Sequence, residues 1–141
     1  MNGTKTEKIY SKEGDLLAII LRSGDYPEGL NFYNKEEDFI QLGTWKYQKG
    51  QKIKGHNHLI FERAAQRTQE AVYLKSGKIK SGIYDEQDNL MENIILTEDD
   101  IIVFLAGGHD FEILEDNTQV FEVKNGPYAG VEKDKRKFYE K

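Results

Sequence analysis

Three histidines are the only imidazoles in this 141-residue chain, and two of them stand two apart in Gly55-His56-Asn57-His58. On a strand, side chains at i and i+2 leave the same face, so both rings point one way and can grip one ion. The third, His109, follows Ala106-Gly107-Gly108 about fifty residues further on, at the start of another stretch of strand composition. A transition-metal site needs donors that converge from separate segments in this way, and neutral imidazole suits zinc, iron, nickel, copper and cobalt. A carboxylate completes such a set by offsetting the charge of the ion. Glu70, which opens the strand-like Ala71-Val72-Tyr73-Leu74, is the preferred candidate, and Glu62, close behind His58, is the alternative. The plainer reading is a pair of solvated histidines on an edge strand, with glutamates that are ordinary surface charges.

Composition narrows the rest. There is no cysteine, which excludes disulfides, thiolate catalysis, iron–sulfur clusters and cysteine-held zinc, so any metal is held by nitrogen and oxygen. The net charge is −5 with both signs mixed along the chain, and no basic stripe points to a nucleic-acid partner. The N-terminal MNGTKTEKIY has no apolar signal core. The longest apolar run, Leu16 to Leu21, is far too short to span a bilayer. A cytoplasmic protein with no membrane partner is expected.

These residues must be positioned by short strands. Runs rich in β-branched and aromatic residues cover Leu16–Leu21, Phe39–Tyr47, Ala71–Leu74, Lys78–Tyr84, Leu90–Leu96, Ile101–Leu105, Phe111–Leu114 and Gln119–Lys124. Turn residues separate them about every ten positions, the spacing of an antiparallel sandwich or barrel. Ala71–Leu74 and Lys78–Tyr84, joined through Lys75-Ser76-Gly77, read as a hairpin, and Asp85–Asn89 reads as a second turn. Helix-friendly composition is confined to Phe61–Gln69 and Asp134–Lys141. The expectation is one all-β domain over 1–141, with its core at about 40–125 and a loop or short helix inserted near 59–69. Leu16–Leu21 is either buried on both faces or lies at a contact between copies.

The pattern Gly50-x5-His56-x-His58, then Glu70-x6-Gly77, resembles the first motif of the cupins. In that family the motif supplies two histidines and a glutamate to the metal. Eleven residues, Leu59 to Gln69, separate His58 from Glu70, where the family has fewer. Glu62 meets the shorter spacing but lacks the glycine seven residues on. The second cupin motif supplies the last histidine, here His109. Around it Glu98 and Ala106 stand where the family has glycines, Phe104 where it has proline, and Ile113 where it has asparagine. Phe121-Glu122-Val123-Lys124-Asn125-Gly126-Pro127-Tyr128 is similar to the ending of small cupin-fold metalloproteins associated with bacterial surface-polysaccharide gene clusters. The resemblance implies a double-stranded β-helix (jelly-roll) barrel holding one divalent metal, Zn, Fe, Mn or Ni, and pairing as a homodimer through outer strands.

Within the insert, Arg63 and Arg67 are four apart, so a helical turn sets both on one face, where paired guanidinium groups suit a carboxylate or phosphate. They and Tyr128, which follows the Gly126-Pro127 turn, are the candidate contacts to a small, sugar-derived ligand. The bland reading of the arginines is surface ion pairing. Three functions follow: Lewis-acid or oxygenase chemistry on a carbohydrate-derived molecule, a metal-free nucleotide-sugar ketoisomerase or epimerase using histidine as acid or base, and a non-catalytic binding barrel.

Overall fold

A strand that is apolar at every position is stable when both of its faces are covered. Leu16–Leu21 is such a strand. In the computed structural model, which describes residues 5–138, it forms β2 (Leu16–Leu21), with Leu17 to Leu21 almost fully buried. It lies between β1 (Thr6–Tyr10) and β8 (Ile101–Phe104) in a five-stranded antiparallel sheet. The sheet continues through β5 (Glu70–Ser76) to β10 (Gln119–Lys124). A second sheet orders β7 (Leu90–Leu96), β6 (Ile79–Tyr84) and β9 (Gly108–Ile113).

The two sheets share one core. Ala18, Ile20, Val72, Leu74 and Ile102 of the first meet Ile79, Ile83, Ile94 and Leu96 of the second. The opposite face of the five-stranded sheet carries Ile19, Val103 and Leu105, and Leu42, Tyr33 and Ile40 cover it from the connection between β3 (Gly29–Phe32) and β4 (Gly43–Lys46). Fully burying one such aliphatic side chain contributes about 1.5–3 kcal/mol, so double coverage makes β2 and β8 the anchor of the fold. The architecture is all-β, as expected, and β2 is buried on both faces. No helix among the described residues is long and apolar enough to cross a membrane.

Several local expectations are corrected. β5 and β6 do not form a hairpin, because the chain passes from one sheet to the other at Gly77. That residue has φ +92, and a Cβ there would lie 2.2 Å from Thr118 Oγ1, so the crossing requires glycine. The β6–β7 hairpin does form over Asp85–Asn89, where Asp85 Oδ1 accepts from the Gln87 and Asn89 amides at 2.9 Å each. The expected strand Phe39–Tyr47 shrinks to Gly43–Lys46. Side chains take over the ladder before it: Asn34 bonds Ile40 O and the Leu42 amide, and Gln69 Oε1 accepts from the Phe39 and Ile40 amides. Residues 47–69 contain neither helix nor strand, so His56 and His58 are not on a strand and the insert is a loop. The C-terminal helical turn, α1 (Val131–Asp134), precedes most of the helix-friendly stretch, whose residues 139–141 lie outside the described residues.

Gln69 also donates from Nε2 to Leu105 O at 3.1 Å, and its own amide bonds Asn125 Oδ1 at 2.7 Å. It thereby pins the 33–42 connection to the sheet at the residue before Glu70. Gln69→Leu keeps the size and strips the side-chain partners, leaving the backbone bond to Asn125. It should lower stability by about 2 kcal/mol in urea denaturation. Hydrogen exchange should show lost protection at the Phe39 and Ile40 amides, and unchanged protection there would contradict the assignment.

Candidate functional site

Glu70 opens β5 on the face shared with Val72 and Leu74, which is the core face. A carboxylate there needs donors, because burial without them is costly. His109, second residue of β9, supplies one from the opposite sheet: its Nε2 lies 2.6 Å from Glu70 Oε1. The Glu70 side chain is 9% exposed and that of His109 28%. The imidazole is held flat against Phe104, with centroids 3.9 Å apart and planes 18° from parallel, and tilted against Phe111 at 5.3 Å. Phe104 sits opposite Glu70 in the β5–β8 register, so strand pairing sets this ring beside the carboxylate that His109 reaches from the other sheet.

Glu122 is a third member that the sequence reading missed. In the β5–β10 register Lys124 stands opposite Glu70, and Glu122 shares the face of Lys124 two residues away. That makes Glu122 the diagonal neighbour of Glu70, within reach of a long side chain. Alternation within Gln119–Lys124 carried this signal, but it needed the strand partner to be read. Burial pushes Glu70 up, yet the hydrogen bond and charge of His109, with the Glu122 hydrogen bond and the Lys124 charge, hold it below its usual range. Glu122 is pushed up, first by its hydrogen bond with Glu70 and then by burial and the Glu70 charge. Of the two, Glu122 is the carboxyl that takes up a proton first as pH falls.

His109 borders two clefts. One, of about 710 Å³, also takes in Glu70, Glu122, Phe111, Asp110 and Arg136. The other, of about 640 Å³, includes Arg67, Phe104, Asn125 and Pro127. A larger cleft of about 920 Å³ contains Arg67 and Gln69 but neither Glu70 nor His109. The chemistry centres on the 710 Å³ cleft, where Glu70, His109 and Glu122 meet.

The remaining expected residues lie elsewhere. His56 and His58 are exposed, with ring centroids 5.3 Å apart, and His56 Nδ1 is 3.0 Å from Lys54 O. Glu62 is exposed on the same loop. Arg63 lies over the Phe61 ring at 3.6 Å, and Arg67 pairs with Glu86 at 2.9 Å, so no helical turn aligns the two. Tyr128 is exposed, with Lys124 Nζ 5.4 Å from its ring centroid.

As metal donors, Glu70 and His109 fit half a site. Two donors at right angles on an ion with bonds of about 2.1 Å lie about 3 Å apart, near their observed separation. Among the described residues, no three His, Asp or Glu side chains are grouped to hold an ion. A single chain thus brings Glu70 together with His109, and His56 together with His58, but not the two pairs with each other.

Two outcomes test this electrostatic arrangement. Removing the donor in His109→Ala should raise the Glu70 carboxyl in an NMR titration and cost about 3 kcal/mol of stability, because it strands a buried charge. Glu122 is raised, so its contribution is complete below its ordinary value of 4.5 and fades as pH climbs through its folded value. Glu70 is lowered, so its contribution is present above 4.5 and fades as pH falls through its folded value. Glu122→Gln should therefore flatten the decline of Tm above pH 4.5 and spare the acid limb. An unaltered difference between the two limbs would refute the opposed shifts of the pair.

Compared with protein-family models, with curated proteins and with solved structures, the chain gives no match.

Proposed function

We propose that this chain is a cupin-type metal-binding protein of the cytoplasm, acting on a small, carbohydrate-derived molecule. The observation that carries the reading is the buried Glu70–His109 pair at 2.6 Å. These residues are far apart in sequence, and the two cupin-like motifs single out both of them as metal donors. His56 and His58 complete the donor set in this reading, with Zn, Fe, Mn or Ni as the ion. Such an ion supplies Lewis-acid polarisation of a carbonyl or hydroxyl oxygen, or with iron a site for dioxygen. The chain's own contribution is a carboxylate kept ionised at the site and an imidazole fixed in orientation by Phe104 and Phe111. Arg67, on the rim of a cleft shared with His109, provides a cation for an anionic ligand group.

A second reading rests on a different observation. Glu70 already orients His109, and Glu122, whose carboxyl is pushed up by Glu70, lies beside them. An imidazole oriented by a carboxylate is the arrangement of a general acid–base group, which suits a metal-free isomerase or epimerase of nucleotide-linked keto-sugars. Elemental analysis of protein purified without a metal-affinity column separates the two. Stoichiometric transition metal, lost in Glu70→Ala and in His109→Ala, supports the metal reading. Metal-free protein that exchanges the α-proton of a nucleotide-linked keto-sugar, and stops doing so in His109→Ala, supports the second.

A further inference from the structure

The sandwich is open along one side. β9 ends the three-stranded sheet and β10 ends the five-stranded one. Their core-facing positions are uncovered. Phe111 and Ile113 stand opposite Ser81 and Ile79, both buried, yet they are 41% and 60% exposed. Val120, opposite the fully buried Leu74, is 49% exposed. Apolar side chains in these positions become core once another segment lies alongside, and open edges of this kind template such pairing.

The same chain carries an unpaired segment suited to that place. Residues 47–69 have no strand, and Leu59, Ile60 and Phe61 are 80%, 102% and 61% exposed. The segment is held at both ends, by the β3–β4 hairpin and by Arg67 and Gln69 against the body, and it stands off its own sheets between them. Its charge complements the open side. Lys46 and Arg67 pair with Glu28 and Glu86 of their own chain; between them Lys49, Lys52, Lys54 and Arg63 face one acid, Glu62, so residues 47–66 carry +3. Residues 108–124 hold five acids, Asp110, Glu112, Glu115, Asp116 and Glu122, against Lys124, so they carry −4.

We infer that segment 46–67 of one copy lies along the open β9–β10 side of a second copy, reciprocally, and brings His56 and His58 to the second copy's Glu70 and His109. Each copy thus has an unfilled surface and the segment that fills it, and a two-fold exchange satisfies both. The delivery of the histidines rests on the metal reading; the exchange of segments does not.

The test uses the full chain. Light scattering on a sizing column should give a dimer. Carbodiimide coupling of a co-refolded mixture of isotopically light and heavy chains should join Lys49, Lys52 or Lys54 to Asp110, Glu112 or Glu122 in mixed light–heavy peptides. A monomer, or a dimer whose couplings stay within one isotopic form, overturns the exchange. Zinc content then tests the shared site. His56→Ala/His58→Ala protein and His109→Ala protein should each be depleted. Co-refolded together they should recover roughly one quarter of the wild-type zinc, because random pairing makes half the dimers mixed and each mixed dimer has one intact site. No recovery, with wild-type protein loading zinc, overturns the delivery. If wild-type dimer loads no transition metal, the metal reading fails and the delivery with it, while mixed couplings still establish the exchange.

Discussion

Everything in this molecule depends on one sheet being covered on both faces. β2 and β8 bury side chains toward the three-stranded sheet on one side and toward the 33–42 connection on the other. A one-residue slip between them would exchange the two sets of side chains. The register Ala18–Phe104 to Leu21–Ile101 is therefore fixed by packing, and β5 is fixed in turn by pairing with β8. That places Glu70 opposite Phe104, and hence beneath the ring that orients His109. The position of the candidate site is a consequence of core packing one and two strands away.

Glu70 shows how polar chemistry is kept inside such a core. A nearly buried carboxyl would ordinarily favour its neutral form. Two features oppose that here: the hydrogen bond and charge of His109, and the hydrogen bond with Glu122, which pushes Glu122 up in return. Two carboxyl groups in contact are pushed apart in proton affinity, and the better-buried one is the more acidic because it also holds the imidazole. An anionic oxygen is thus maintained at the junction of the two sheets, ready to act on a cation or to orient a base.

Much of this was legible in the residues. Turn residues flank Leu90–Leu96 and Gln119–Lys124, and the strands have those bounds. Glu70 and His109 were picked out from opposite halves of the chain, and they meet. What failed did so for physical reasons. The hairpin reading of Ala71–Tyr84 took a short Gly turn for a two-strand connection, whereas Gly77 serves a crossing between sheets. The strand at Phe39–Leu42 was replaced by side-chain hydrogen bonds from Asn34 and Gln69, a competition that periodicity does not register. Glu122 was invisible because its role comes from a cross-strand diagonal and not from any local pattern. The HxH spacing predicts strand geometry, but the stretch around it, with Gly50, Gly55 and four nearby lysines, is exposed and carries no strand.

The distribution of charge on the open side bears on which surfaces can meet. Unprotected β edges tend to pair with one another, and proteins guard them with charge. Here the guard has one sign: β9 and β10 and the turn between them are acidic, so two such edges repel. A basic, apolar-tipped segment does not meet that repulsion. The acids that prevent edge-to-edge pairing therefore also select the Lys-rich 46–67 segment, and the same feature that keeps the sandwich open to solvent restricts what can close it. Screening weakens such selection as salt rises, whereas apolar burial of Phe111, Ile113 and Val120 does not depend on it in that way. Charge thus governs which segment is admitted, and burial governs how firmly it stays.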